Sequence, residues 1–300
     1  GLPKVVASAV NEMWDSSNLS FALCPLLSAG AIEAIECHGT DRVKAMFLHK
    51  LVTGDWSGTM NLTEPQAGSD LSTVTTKAEP EGDHFRIKGT KIYITYGDHD
   101  LTENIIHLVL ARLPGAPEGT KGISLFAVPK FLVKDDGSIG ERNEVHCLSL
   151  EEKLGIHASP TAVMSYGEDK GAVGYLVGEE DRGLMHMFTM MNNARHAVGR
   201  EGLAISESAY QLALQYAMER KQGNVAGTAA QATIVEHSDV KRMLMRMKAL
   251  TEAMRGLTYT CAYAFDVAER ATDEQECGRA NRRGDLLTPV VKGWCTDNAQ

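Results

Sequence analysis

The sequence predicts an α+β multidomain chain: a helical segment, a central β-barrel or sandwich, and a C-terminal helical bundle. Three observations carry this. Apolar residues recur at spacings of three and four up to about residue 52 and again beyond 180. Between those limits, short alternating or continuous apolar runs are separated by Gly, Pro and Asp-Gly turns. No helical pattern alternates with these runs, as a doubly wound sheet would require. The predicted domains are 1–52, 53–180 and 181–300.

In the first domain Val5, Ala9 and Met13 recur at helical spacing, followed by Leu19, Leu23, Leu26 and Leu27. Pro25 interrupts that set and predicts a boundary or kink near Cys24. Ile32 and Ile35 continue the pattern, and Asp41 is the expected cap for a helix carrying Val43, Met46, Phe47 and Leu51. The Gly1-Leu2-Pro3 start reads as the middle of a domain.

In the second domain Phe85-Arg86-Ile87-Lys88 and Lys91-Ile92-Tyr93-Ile94-Thr95 alternate around Gly89, as paired half-buried strands do. Apolar runs at 104–111 and 123–128 are of strand length, and the Pro- and Gly-rich stretch between them reads as a hairpin loop. Gly167, Gly171, Gly174 and Gly178 lack the spacing of a dinucleotide-binding turn. In the third domain one helix carries Leu184, Phe188, Met191, Arg195 and Val198, with Ile205, Ala209, Leu212 and Tyr216 beyond. Another spans about 238–268. A polar, exposed connector at 272–284 then precedes a helix opening at Thr288-Pro289.

Composition narrows the function. Hydrophobic content of 43% and charged content of 23% fit a globular protein. A net charge of −9 gives no reason to bind nucleic acid or an anionic membrane. No apolar run reads as membrane-spanning, and no secretory signal opens the chain. The six cysteines form no C-x-x-C pair and the ten histidines no H-x-x-x-H, so no metal site is predicted and the cytoplasm is the expected compartment.

The chemistry-bearing residues cluster in two segments of the β domain. In Met60-Asn61-Leu62-Thr63-Glu64-Pro65-Gln66-Ala67-Gly68-Ser69-Asp70, Pro and Gly fix the backbone path while Thr63 and Ser69 keep free hydroxyls. In Tyr93-Ile94-Thr95 a flat ring and a hydroxyl end a strand. Together they suit a wall for a flat, heteroatom-rich cofactor. Read alone, the same residues suit turn capping and strand packing better than a cofactor wall. Arg195 differs, since a guanidinium on an apolar helix face needs a partner or a pocket. The methionines of 185–191 read as core.

Five motifs occur in order: residues 60–70; Lys91-Ile92-Tyr93-Ile94-Thr95; Glu152-Lys153-Leu154-Gly155-Ile156-His157-Ala158-Ser159; Met190-Met191-Asn192-Asn193-Ala194-Arg195; and Arg220-Lys221-Gln222-Gly223. With the helix–β–helix order they resemble the acyl-CoA dehydrogenase family across the whole chain, closest in wording to its long bacterial branch. The resemblance implies FAD-dependent removal of a proton from Cα and a hydride from Cβ of an acyl-CoA thioester. It implies that Met60, Leu62, Thr63, Ser69, Tyr93, Ile94 and Thr95 contact FAD, and that Arg220 and Gln222 serve the FAD of a partner subunit. Tyr93 stands where many relatives have Trp. Ser69, Asn192 and Arg195 are the implied substrate contacts. A homodimer or dimer of dimers and an electron-transfer flavoprotein are the implied partners.

No catalytic base can be nominated. The resemblance implies a glutamate beyond Gln300, or one just before the arginine, where this chain has Ala194. Glu201 and Glu207 read as surface or capping charges. The expectation is therefore a central piece of a longer enzyme, truncated at both ends and itself inactive. Two alternatives share the fold: a flavoprotein of the alkylation-response type with a nucleic-acid-associated protective role, and an acyl-CoA oxidase.

Overall fold

The computed structural model describes residues 1–225 and 231–300. The helical start forms α1 (Lys4–His38) and α2 (Asp41–Thr53). The break in α1 falls at Asn18 (φ −156, ψ 84), not at Cys24, and the chain stays helical through Pro25. A proline removes one helical hydrogen bond, which a packed helix can carry, whereas a short polar side chain such as asparagine favours non-helical backbone. Thr40, not Asp41, caps α2: the Val43 amide donates to its Oγ1 at 3.3 Å. Asp41 instead sits in the first turn, where the helix dipole favours a negative charge.

The chain divides into two compact units, Ser20–Ala194 and a second made of Gly1–Leu19 with Arg195–Gln300. The first holds ten strands: β1 (Trp56–Asn61), β2 (Lys77–Glu81), β3 (His84–Thr95), β4 (Asn104–Ala111), β5 (Ser124–Pro129), β6 (Phe131–Val133), β7 (Ile139–Arg142), β8 (Val145–Leu150), β9 (Thr161–Tyr166) and β10 (Ala172–Leu176). Eight form one sheet in the order β1-β4-β5-β10-β3-β9-β8, with β2 added on β3; β6 and β7 pair separately. Only the β1–β4 pairing in this sheet is parallel.

β4 is buried along its whole length because both its faces meet apolar layers. Ile106, Leu108 and Leu110 join Leu27, Ala31 and Ile35 of α1 and Phe47 and Leu51 of α2. Val109 and Ala111 face the other way, toward Ile87, Ile94, Phe126, Ala162 and Met164. This explains why its sequence is continuous in apolar residues and not alternating. Of the methionines of 185–191 expected in the core, Met187 and Met190 are fully buried in the first of these layers and Met191 packs against it, whereas Met185 is 49% exposed. Among the described residues α1 is also long and apolar enough, by length and composition, to cross a membrane, where the sequence reading found no such run; 39% of its most apolar window is buried.

The second unit is helical, built on α3 (Gly183–Glu219) from Arg195 onward, α4 (Ser238–Arg270) and α5 (Glu274–Asn298). Leu203, Met254, Cys261, Val291 and Cys295 form its core. The expected polar connector is instead the first half of α5, capped by Asp273, and Pro289 lies inside the helix. The buried face of α5 is Gly284, Thr288, Val291 and Cys295. Two of its four positions carry little apolar signal, and Gly284 has the Phe265 ring 2.7 Å from where a Cβ would stand.

Candidate functional site

The turn after β1 is organised by one buried carboxylate. Glu64 is 2% exposed, and its Oε1 accepts from Lys91 Nζ (2.8 Å) and from the hydroxyl and amide of Thr76 (2.6 and 3.1 Å). Its Oε2 accepts from Gln66 Nε2 (2.6 Å) and from the amide and hydroxyl of Thr75 (both 2.8 Å). Burial alone would raise this carboxyl. The Lys91 ammonium and the threonine hydrogen bonds outweigh it and hold the group at about 2. Burial pulls Lys91 down to about 8, with Glu64 opposing the shift. The pair therefore stays ionised at neutral pH.

Lys91 Nζ also donates to the Leu62 carbonyl at 3.0 Å, and the Ile92 amide donates to the Thr63 carbonyl at 2.9 Å. These bonds draw the turn carrying Thr63 against the end of β3. There the register opposite β9 shifts between Lys91 and Ile94, and Tyr93 adopts a left-handed backbone (φ 61). The shift breaks the strict alternation of the strand. Ile94 is turned into the core at 1% exposure and can offer only its backbone, while the Tyr93 ring is 61% exposed. Thr63 and Thr95 are half-buried and Ser69 is exposed.

β1 ends the strand order, so the backbone on its outer side has no strand neighbour. Its inward residues are held by a buried polar chain. Tyr166 Oη donates to Asn61 Oδ1 (2.8 Å), Asn61 Nδ2 donates to Thr59 Oγ1 (2.8 Å), and Thr59 Oγ1 bonds His107 Nδ1 (2.7 Å). Burial lowers His107 to about 3, so it is neutral. Met60 lies between Thr59 and Asn61 on the strand and packs on the helical side. The structure thus ties Leu62 and Thr63, in the turn after β1, to Lys91 and Ile92, next to the exposed Tyr93 ring and the Thr95 hydroxyl on the same strand, with Met60 at the end of β1. That donor set suits a flat heteroaromatic group such as a flavin. Asn192 is half-buried in the same unit.

The remaining candidates belong to the helical unit. Arg220 Nη2 donates to Gln222 Oε1 at 2.9 Å, and both residues are exposed. Their loop is closed by Ile234 N donating to Arg220 O and Gln222 N to Ala232 O. Arg195 is half-buried at the start of this unit's part of α3.

The sequence reading of Glu201 and Glu207 as surface or capping charges is overturned. Glu201 is 9% exposed, and its buried Oε1 has no hydrogen-bond partner among the described residues. Beside it Arg200 Nε donates to the buried Asp15 at 2.9 Å. Burial first, then the Asp15 charge, raises the Glu201 carboxyl to about 7, with Arg200 opposing. Glu207 is half-buried and accepts from Arg255 Nη2 at 2.6 Å; Arg255 also bonds Glu12, which accepts from Tyr259 Oη. Residues from three distant stretches make this cluster, so no local spacing announced it. Glu64 and Lys91 lay within the quoted motifs, and a lysine in an otherwise strand-like run was the available signal for their pairing.

The family model described as acyl-CoA dehydrogenase, middle domain, matches residues 59–167. The model described as acyl-CoA dehydrogenase, C-terminal domain, matches 181–280. The chain is 55% identical over 302 residues to 3-methylmercaptopropionyl-CoA dehydrogenase of Ruegeria pomeroyi, covering 100% of this chain and 51% of that protein. It is 38% identical over 307 residues to a butyryl-CoA dehydrogenase of Syntrophomonas wolfei subsp. wolfei, covering 99% and 50%. The chain thus spans about half the length of the curated relatives it matches. Among solved structures, glutaryl-coenzyme A dehydrogenase in its glutaryl-CoA complex superposes with TM-score 0.72 at 23% identity, over 100% of this chain and 70% of that one. Butyryl-CoA dehydrogenase from Megasphaera elsdenii superposes with TM-score 0.70 at 23% identity, over 96% and 69%. These two likenesses concern the fold.

Proposed function

We propose that this chain, which belongs to the acyl-CoA dehydrogenase family, is the cofactor-holding part of an FAD-dependent enzyme that desaturates an acyl-CoA thioester between Cα and Cβ. The observation that carries the reading is the Glu64–Lys91 clamp, which fixes Thr63 against the Tyr93–Thr95 step and so makes one preorganised wall. When bound, FAD supplies the acceptor for the hydride that leaves Cβ.

The chain's own residues bind and orient. The Thr63 and Thr95 hydroxyls and the backbone of Met60, Leu62 and Ile94 hydrogen-bond the flavin edge, and the Tyr93 ring packs against it. Ser69 donates to the pyrophosphate and to the CoA portion. Arg220, steadied by Gln222, serves the FAD phosphates of a partner subunit in a homodimer or dimer of dimers. Asn192 and Arg195 contact the substrate. Ala194 has no proton-accepting group, so the Cα proton passes to a base supplied from outside these residues. An electron-transfer flavoprotein in the cytoplasm reoxidises the enzyme.

The test is anaerobic titration of the flavin in the full-length protein with acyl-CoAs, 3-methylmercaptopropionyl-CoA and butyryl-CoA among them. Bleaching of the flavin band by at least one thioester is expected. A protein that takes up no FAD, or a flavin that no thioester bleaches, would refute the reading.

A further inference from the structure

We infer that Arg112 is a positioning residue for the Gly68-Ser69-Asp70 turn, holding the segment that follows the turn so that Ser69 meets a phosphate-bearing ligand in one fixed orientation. The inference rests on the proposed function, because it assigns Ser69 to the cofactor's pyrophosphate.

Arg112 stands one residue past β4 and is half-buried. Its side-chain hydrogen bonds all go to main-chain carbonyls, drawn from two separate segments. Nε donates to Val74 O (2.7 Å) and Nη2 to Ser72 O (2.7 Å) on one side. On the other, Nη2 donates to Gly119 O (2.7 Å) and Nη1 to Pro117 O (3.2 Å). Its backbone takes part too, Arg112 N donating to Thr76 O and Ala78 N to Arg112 O, both at 2.8 Å. A forked guanidinium can serve four carbonyls at once, which a single ammonium cannot do in the same geometry. The carbonyl dipoles disperse its charge and no ligand role for the group itself is needed.

The same segment is gripped from the opposite chemical side. Glu64 accepts from the amides and hydroxyls of Thr75 and Thr76, so an anion takes donors at the end of this segment while Arg112 takes the carbonyls of Ser72 and Val74. The turn itself is closed by Ser72 N donating to Asp70 Oδ1 (2.8 Å) and Thr73 Oγ1 donating to Asp70 O and Gln66 O (both 3.2 Å). Ser69 lies within the stretch closed by the Thr73–Gln66 bond, three residues before the first carbonyl that Arg112 holds. Clefts of about 440 and 390 Å³ border Arg112, one lined by Val74, Thr75, Leu113 and Pro114 and the other by Ser72, Pro117 and Glu118. Arg112 hydrogen-bonds both the 113–119 loop and the 72–76 segment and so bridges them.

The test is a double-mutant cycle on FAD affinity in the full-length protein: wild type, Arg112→Lys, Ser69→Ala and the pair. Arg112→Lys is expected to raise the FAD dissociation constant about tenfold, because the loosened turn must then be ordered when FAD binds. The double variant is expected to bind little worse than Ser69→Ala alone, because Arg112 acts through Ser69. Hydrogen exchange over 68–76 is expected to quicken in Arg112→Lys without FAD, while β3 and β4 keep their protection. Arg112→Gln, run the same way, should show a larger loss with the same coupling. A folded Arg112→Lys with wild-type affinity, effects that simply multiply, or both Arg112 variants failing to fold would each overturn the inference. If the wild type binds no FAD, the proposed function fails instead, and exchange over 68–76 still decides whether Arg112 holds the turn.

Discussion

Replacing Glu201 by glutamine should stabilise the helical unit, and should do so only above mildly acidic pH. Folding raises this carboxyl from an ordinary 4.5 to about 7, first because it is buried and then because Asp15 repels it, with Arg200 partly compensating. A raised folded value means that the native state binds the proton more tightly than the unfolded chain. The full stability is present below about 4.5 and is lost as pH climbs through 7. Integrating over that window, the penalty is about 1 kcal/mol at pH 5 and about 3 kcal/mol at pH 8. Glutamine carries no such charge, so the stability gap between Glu201→Gln and wild type should widen by about 2 kcal/mol from pH 5 to pH 8. Comparing the gap at two pH values cancels any constant effect of placing an amide where Oε1 already lacks a partner.

The assay is urea unfolding of both proteins followed by helical circular dichroism at half-unit pH steps from 5 to 8. Glu207→Gln is the control of opposite sign. Hydrogen bonding to Arg255 lowers the Glu207 carboxyl, so that glutamine should be neutral in strong acid and destabilising once the wild-type group ionises. Stability profiles of wild type and Glu201→Gln that run parallel from pH 5 to 8 would refute the reasoning. Glu201 would then be titrating as a solvated carboxyl does.

Three further outcomes follow from the first unit. Lys91→Met should cost about 3–5 kcal/mol in urea unfolding, because it strands a buried carboxylate, and Lys91→Met with Glu64→Gln should recover part of that loss. Tyr93→Gly should leave stability within about 1 kcal/mol, since relief of the left-handed backbone offsets glycine's entropy, yet should weaken FAD binding measured by fluorescence quenching. Gly58→Ala should cost about 1–3 kcal/mol in thermal or urea unfolding, because its new Cβ would stand 2.4 Å from the Ala31 Cβ.

What was legible in the sequence was whatever repeats locally. Period-two runs marked both halves of β3, which were expected as paired strands but run as one through Gly89, and turn residues marked 60–70, so the two segments of the proposed wall stood out some thirty residues apart. What escaped was of two kinds. Some elements hide their buried face in residues with no apolar signal: α5 turns Gly284 and Thr288 inward, so its first half read as an exposed connector. Others depend on charges that meet only after folding. Glu64 and Lys91 are 27 positions apart, and Arg200 and Asp15 are 185 apart. A carboxylate's sequence neighbours say how soluble its helix is; they do not say which charge it will face when water is excluded. The contrast between Glu64 and Glu201 makes the point physically. Both are buried carboxylates, but one gained an ammonium and four threonine donors and is held at about 2, while the other gained a like charge and no donor to its Oε1 and rises to about 7. The first is locked in its ionised form and can serve as scaffold for the wall. The second sits on the edge of titration at neutral pH, so the helical unit should respond to pH in the physiological range.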